Sequence, residues 1–323
     1  MFASRFSVNR SLLFTSTALS LLMAISGTAS AHESTGKSKS AAETVQHLTI
    51  EDTFNLEFVA NPQFISDDTV IYSRQSMDIM TDSRQSRLWQ VNIKSGEHRP
   101  FIALDANLSQ AELSPNGKYL AYVTAVNKRP QIHLYYLDSK QSVRLTNLDE
   151  APRQITWSND SKTLAFTLFS EAKTAPLFKG MPTKPKGAKW AESATYIEAV
   201  QYRGDGRGYL REGHEQIYVL PVEGGTPRQL TSGKFPSGGT LSFSNDNEWI
   251  YFASAHREDY ALHPLFSDIY KVNISNGAIE QVTSMEGPES RPTLSPNGKF
   301  LAFTQLNDRK LSYQNSDLVV MEL

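Results

Sequence analysis

Cysteine is absent from all 323 residues. That excludes a disulfide framework, thiolate chemistry and a lipid-modified N-terminal cysteine. Long apolar runs are almost as scarce. Leu12–Ile25 is the longest mostly apolar stretch, short of the ~20 residues that span a bilayer. No excess of positive charge exists to argue for nucleic acid, since 32 Lys and Arg face 34 Asp and Glu. The chain also lacks a Gly-x-x-x-x-Gly-Lys phosphate loop, an EF-hand register and a Gly-x-Ser-x-Gly nucleophile turn. Extended helical periodicity is missing too. The 13 Tyr and 16 Phe favour an all-β chain instead.

The N-terminus has a different grammar. Arg5 and Arg10 precede the apolar stretch, and Ala29-Ser30-Ala31 is a small-x-small site. Residues 1–31 therefore read as a signal peptide cleaved after Ala31, with an uncleaved anchor as the rival reading. Losing Arg5 and Arg10 leaves 30 basic residues against 34 acidic ones, a net charge of −4. The expected destination is the periplasm or the exterior, with no stable membrane span. Residues 32–44 are polar and rich in Ser and Lys, and read as a disordered tether.

The rest is repetitive. Leu113–Tyr122 reads Leu-Ser-Pro-Asn-Gly-Lys-Tyr-Leu-Ala-Tyr, and Leu294–Phe303 repeats it as Leu-Ser-Pro-Asn-Gly-Lys-Phe-Leu-Ala-Phe. Weaker copies lie at Ile65–Tyr72, Trp157–Phe166 and Phe243–Phe252. Each is an apolar strand, a Ser, a turn of Pro, Asn, Asp or Gly, and an aromatic strand. Ser66, Ser114, Ser158, Ser244 and Ser295 are 48, 44, 86 and 51 residues apart. Three of those steps match the ~40–50 residues of a four-stranded propeller blade. The long step holds only one third-and-fourth strand pair, which places an insertion, 170–213, inside the third blade. The expectation is an all-β propeller over 45–323, with four complete four-stranded antiparallel blades and an incomplete fifth in a truncated chain. The alternative is a small ring closed by a strand such as Val45–Ile50.

The Ser-Pro-Asn-Gly-Lys hairpins resemble the propeller repeats of TolB-like periplasmic proteins and of the prolyl oligopeptidase family of serine peptidases. Blade-closing strands such as Pro227-Arg228-Gln229-Leu230-Thr231 and Glu280-Gln281-Val282-Thr283 carry the likeness further, as does the run Tyr202-Arg203-Gly204-Asp205-Gly206-Arg207-Gly208-Tyr209. Together they look like the acylaminoacyl-peptidase and dipeptidyl-aminopeptidase branch. The resemblance spans about Leu48–Leu323. It implies an N-terminal propeller that gates short peptides toward a C-terminal α/β-hydrolase domain bearing a Ser-Asp-His triad. No position of that triad can be assigned here, so the expected catalytic residues are none and this stretch alone is expected to be inactive. The Glu-Glu pair with which dipeptidyl-peptidase relatives grip a free N-terminus is missing as well. A non-enzymatic TolB-like binding module is the other reading.

Few constellations stand out. Arg203 and Asp205 are the substrate-facing candidates, because a charge there could hold a peptide terminus. The plainer reading of the same run is a Gly-rich turn. Lys173, Lys179, Lys184, Lys186 and Lys189 crowd one Pro/Gly-interrupted loop, which reads as solvated rather than polyanion-binding, with Trp190 and Tyr196 as anchors on the propeller. His256 and His263 flank Glu258 and Asp259 at a spacing that fits no zinc pattern. The expected metals and cofactors are none.

Overall fold

The computed structural model describes residues 47–104, 106–172, 182–191, 196–307, 309–311 and 313–323. The stretches expected to be a signal peptide, 1–31, and a tether, 32–44, lie outside the described residues, as do Lys173 and Lys179. Among the described residues, twenty-one strands occur in chain order. Sheet 1 holds β1 (Glu57–Ser66), β2 (Thr69–Asp78), β3 (Ser83–Asn92) and β4 (His98–Pro100). Sheet 2 holds β5 (Leu108–Leu113), β6 (Tyr119–Val126), β7 (Arg129–Tyr136) and β8 (Ser142–Arg144). In sheet 3, β9 (Arg153–Trp157) and β10 (Thr163–Glu171) are joined by β13 (Gly213–Pro221) and β14 (Arg228–Gln229). The hairpin of β11 (Arg203–Gly204) and β12 (Gly208–Tyr209) interrupts that sheet in sequence but not in space. Sheet 4 holds β15 (Ser237–Phe243), β16 (Trp249–Ser254), β17 (Asp268–Asn273) and β18 (Ile279–Gln281). Sheet 5 holds β19 (Glu289–Leu294), β20 (Phe300–Gln305) and β21 (Asp317–Glu322).

All the ladders are antiparallel between consecutive strands of a sheet, the meander of a propeller blade. Residues 47–50 are not in a strand, and among the described residues β21 pairs with β20 alone.

The sheets face each other through four apolar clusters. Leu108 and Tyr122 of sheet 2 meet Ile71 and Leu88 of sheet 1. Val123 and Leu134 meet Trp157 and Phe166 of sheet 3. Ile217 and Val219 meet Phe243 and Phe252 of sheet 4, and Tyr251 and Ile269 meet Phe303 and Val319 of sheet 5. The central strands of sheets 2, 3 and 4 are therefore buried on both faces, which explains why β6, β10 and β16 run apolar instead of alternating.

Two side-chain devices recur. In the first, the turn serine serves both ends of its hairpin. Ser158 Oγ donates to Asp160 Oδ1 at 2.6 Å and accepts from Thr163 N at 2.9 Å. Ser114 with Asn116, Ser244 with Asp246 and Ser295 with Asn297 do the same. The turns are also tied to one another: Asn116 N donates to Ser161 Oγ, Asn159 Nδ2 to Ser244 O and Asn245 Nδ2 to Pro296 O. Polar turn residues thus hold neighbouring sheets together where the apolar clusters end. Ser158→Ala leaves the half-buried Thr163 N–H without its acceptor, so an expected loss of about 1–2 kcal/mol should appear in a urea melt. An unchanged midpoint would remove the turn from the list of what holds sheets 3 and 4 together.

In the second device a threonine of the closing segment bonds a glutamine and the residue after it in the first half of the third strand. Thr146 Oγ1 donates to Gln131 Oε1 at 2.9 Å and accepts from Ile132 N at 3.0 Å. Thr231 repeats this with Gln216 and Ile217 at 2.7 and 2.9 Å. Sheet 4 departs from the pattern, and the departure falls beside the site described next.

Candidate functional site

The ladder of β10 with β13 runs out to Glu171 opposite Gly213 and continues with Ala172 N donating to Glu212 O at 2.9 Å. The insertion leaves and returns through that neck. Gly213 has φ +145°, and a Cβ there would stand 2.3 Å from Ser170 O and 2.8 Å from Glu171 Cα. Only glycine fits so close a return. Beyond the neck, Leu210 N donates to Tyr202 O at 2.8 Å and closes the β11–β12 hairpin, whose turn uses the left-handed glycines Gly206 and Gly208. Arg211 is fixed in place. Its two terminal nitrogens bond both oxygens of Glu150 at 2.5 and 2.7 Å, and its guanidinium lies 4.5 Å over the Phe169 ring.

Sheet 4 supplies the facing wall through residues 255–267. Arg257 bonds both carboxylate oxygens of Asp259 at 2.6 and 2.9 Å and stacks on Phe266. The Arg257 hydrogen bonds hold the Asp259 carboxyl down at about 2. His256 is stacked between Phe235 and Tyr270, with ring centres 4.9 and 4.4 Å away. His214 Nε2 lies 3.2 Å from Tyr260 Oη, and His263 Nε2 lies 3.1 Å from Asp259 Oδ2. Burial lowers the pKa of His214 and His256, which favours neutral rings.

Between insertion and loop lies a cavity of about 860 Å³, whose wall includes Glu198, Glu212, His214, Glu215, Ser254 and Ser267. A smaller one of about 420 Å³ adjoins it and shares Val200, Gln201, Ala261 and Pro264. Both serines are already spent on backbone. Ser254 Oγ donates to Pro236 O at 2.5 Å and Ser267 Oγ donates to Glu289 O at 2.7 Å. Neither is poised as a nucleophile.

The start of β17, next to the lining residue Ser267, carries the break in the repeat. Asp268 stands where β7 and β13 have Gln131 and Gln216. It is one methylene too short to reach Thr283, whose Oγ1 donates to Glu289 of sheet 5 instead. Glu289 is fully buried and also accepts from Met285 N at 3.0 Å and Ile269 N at 3.3 Å. Asp268 keeps one donor, Gln281 Nε2 at 2.9 Å, while its Oδ1 is buried without a partner. Burial, and then the Glu289 charge, push Asp268 up to about 6.

Of the residues singled out from the sequence, Arg203 lines the smaller cavity. Asp205 is exposed in the hairpin turn and lines neither cavity. Trp190 and Tyr196 stay about half exposed, and the Tyr196 hydroxyl donates to Glu198, so they do not anchor the loop by burial. No group of three potential ligands that could hold a metal occurs among the described residues. His214, Glu215, Asp268 and Glu289 escaped the sequence reading. Aligning the third strands would have exposed Asp268 as the acidic exception among glutamines.

Comparison with known proteins now decides the family. The TolB beta propeller domain matches residues 155–322. The chain belongs to that family. It is also 25% identical over 210 residues to "Uncharacterized peptidase YuxL" of Bacillus subtilis (strain 168), covering 64% of this chain and 31% of that protein. It is 21% identical over 254 residues to the Tol-Pal system protein TolB of Francisella tularensis, covering 74% of this chain and 55% of TolB. The chain thus spans about a third to about half of the length of these relatives. Among solved structures, an acylaminoacyl peptidase in complex with Z-Gly-Gly-Phe-chloromethyl ketone superposes with TM-score 0.61 at 15% identity, over 83% of this chain and 39% of that one. The uncomplexed Pyrococcus horikoshii acylaminoacyl peptidase gives 0.60 at 14%, over 84% and 39%. At that identity the likeness is one of fold: propeller regions of peptidases fall on these sheets.

Proposed function

We propose that this chain is the exported N-terminal propeller portion of a serine-type oligopeptidase of the prolyl oligopeptidase family. It gates the access of short peptides to a C-terminal α/β-hydrolase domain. The observation that carries the reading is the match to the Bacillus subtilis peptidase over 210 residues, aligned to only 31% of it. In this reading the propeller is a sieve, and the cavity between sheets 3 and 4 is a place where a peptide pauses. Arg203, on the smaller cavity, is a substrate-facing residue. Asp205 holds that role only by proximity to Arg203 in the same turn. The nucleophile belongs to the hydrolase domain.

The second reading is a TolB-like periplasmic propeller that docks a protein and performs no chemistry. The TolB relative favours it, because its match covers the larger share of this chain, 74%.

One experiment separates the two. The product of the complete gene, isolated from a periplasmic fraction, should begin at His32 and be labelled by a fluorophosphonate probe, whereas the 323-residue chain should not. Failure of the complete product to label would sink the peptidase reading in favour of the docking module. Labelling of the 323-residue chain itself would overturn the assignment of the chemistry to a separate domain.

A further inference from the structure

The outer edges of β7, β13 and β17 are all covered in one register. Leu145 N donates to Ile132 O, Leu230 N to Ile217 O and Val282 N to Ile269 O, each at 2.8 Å. The next residue is a threonine, whose hydroxyl accepts from the N–H of that same isoleucine. The distances are 3.0, 2.9 and 2.8 Å for Thr146, Thr231 and Thr283. All three isoleucines are fully buried. An aliphatic residue followed by threonine is therefore what covers the third strand in sheets 2, 3 and 4.

Sheet 5 presents the same edge. Leu323 N donates to Lys299 O at 2.9 Å, just as Leu137 N donates to Lys118 O at 3.0 Å and Val222 N to Lys162 O at 2.8 Å. Six residues before Leu137, Val222 and Leu323 stand Gln131, Gln216 and Asp317, followed by Ile132, Ile217 and Leu318. Leu318 thus occupies the isoleucine position, yet it is 65% exposed where Ile132, Ile217 and Ile269 are at 0%. It pairs with Thr304 of β20, and among the described residues no strand lies on the other side of β21. A row of strand N–H and C=O groups open on one side is a template for an extended peptide.

The side chains narrow down what fits. Sheet 4 also has an aspartate at the glutamine position, and there Gln281 Nε2 donates to Asp268 Oδ2 at 2.9 Å, two residues before the threonine. Asp317 suits the same donor. Charge adds to the match. Asp317 and Glu322 are exposed and β21 carries no cation, whereas the closing strands of sheets 2 and 3 each bring an arginine, Arg144 and Arg228.

We propose that the open edge of β21 binds an extended peptide segment of the form basic–Gln–aliphatic–Thr. The aliphatic residue donates its N–H to Leu318 O, the threonine hydroxyl accepts from Leu318 N, and the glutamine amide donates to Asp317. This goes beyond the gating of substrates. It uses no residue of the cavities and stands under either reading of the function.

The test uses the full 323-residue chain and a labelled, end-blocked nonapeptide with the sequence of residues 225–233, Gly-Thr-Pro-Arg-Gln-Leu-Thr-Ser-Gly. It should bind saturably. Replacing its threonine by valine keeps the shape and removes the hydroxyl, and should weaken binding about tenfold. N-methylation of its leucine removes the N–H and should abolish binding. Asp317→Ala should weaken the parent peptide and make glutamine in the peptide no better than norleucine. Asp317 is exposed on the edge, which favours a folded variant, and a thermal melt checks it. A scrambled or valine peptide that binds as tightly as the parent overturns the proposal. So does binding that Asp317→Ala leaves unchanged, which moves the peptide to another strand. Absence of binding overturns it as well. If sedimentation then shows concentration-dependent association, the edge belongs to a second copy of the chain. None of these outcomes alters the fluorophosphonate result, so the peptidase reading stands or falls separately.

Discussion

Gly213→Ala should destabilise this chain by about 3 kcal/mol or more and disrupt the cavity between sheets 3 and 4. The added Cβ would lie 2.3 Å from a backbone oxygen, Ser170 O, and 2.8 Å from a backbone carbon, Glu171 Cα. Neither can swing aside as the end of a side chain could. The φ of +145° is a second cost, since side-chain-bearing residues rarely adopt it. Relief requires the neck to open, breaking the Glu171–Gly213 pair and the Ala172 N to Glu212 O bond. Glu212, His214 and Glu215, which wall the cavity, would then move with it. Gly206→Ala is the control. Its φ of +70° carries the ordinary left-handed cost, about 1–2 kcal/mol, but nothing lies within 4 Å of the new Cβ. Urea unfolding of both variants distinguishes the effects. Equal midpoints for the two would show that the neck tolerates opening and does not position the wall.

The periodicity of the turn serines exposed most of this architecture, and the reason is physical. Ser114, Ser158, Ser244 and Ser295 each satisfy a strand N–H and a turn carboxylate or amide in one compact unit, so substitution at those positions is costly and the motif stays recognisable. The same holds for the closing threonines, whose hydroxyls substitute for ladder bonds at the mouths of β7, β13 and β17. The cavity was far less legible. Its wall joins residues from near 200, 214, 238, 254 and 267, which become neighbours only when the insertion folds over the next sheet. No local spacing encodes that. Arg203 and Asp205 attracted notice because a Gly-rich run is conspicuous, yet only Arg203 reaches a cavity, and both are exposed. Asp268 and Glu289 are conspicuous only as a pair, one the gap in the glutamine–threonine pattern and the other its repair from the adjacent sheet.

Glu112→Gln should stabilise the chain at pH 8 and leave it unchanged at pH 4. Glu112 lies on β5 opposite Ala121, a fully buried residue of the cluster that joins sheets 2 and 3. Its backbone oxygen accepts the Trp157 indole at 2.9 Å, but no ion pair or hydrogen bond reaches its carboxylate among the described residues. Burial alone raises it from 4.5 to about 7. A carboxylate whose folded pKa lies above its unfolded value binds its proton more tightly when folded. Folding is therefore favoured most below about 4.5, and that advantage drains away as pH rises through about 7. Taken whole, the shift corresponds to about 3 kcal/mol, and solvent reaching the half-buried site reduces it to about 1–3 kcal/mol. Asp268 acts in the same direction between 3.8 and about 6. The turn carboxylates Asp160 and Asp246 act oppositely. Hydrogen bonds from Ser158 and Ser244 lower their pKa, so their contribution is present above about 4 and is lost only as acid protonates them in the fold. The two windows hardly overlap, so stability should peak in mild acid and fall toward neutrality. Glu112→Gln should flatten the neutral limb by its own share and leave the acid limb intact. Parallel slopes for the two proteins between pH 5 and 8 would mean that water or a flexible neighbour already satisfies the Glu112 carboxylate.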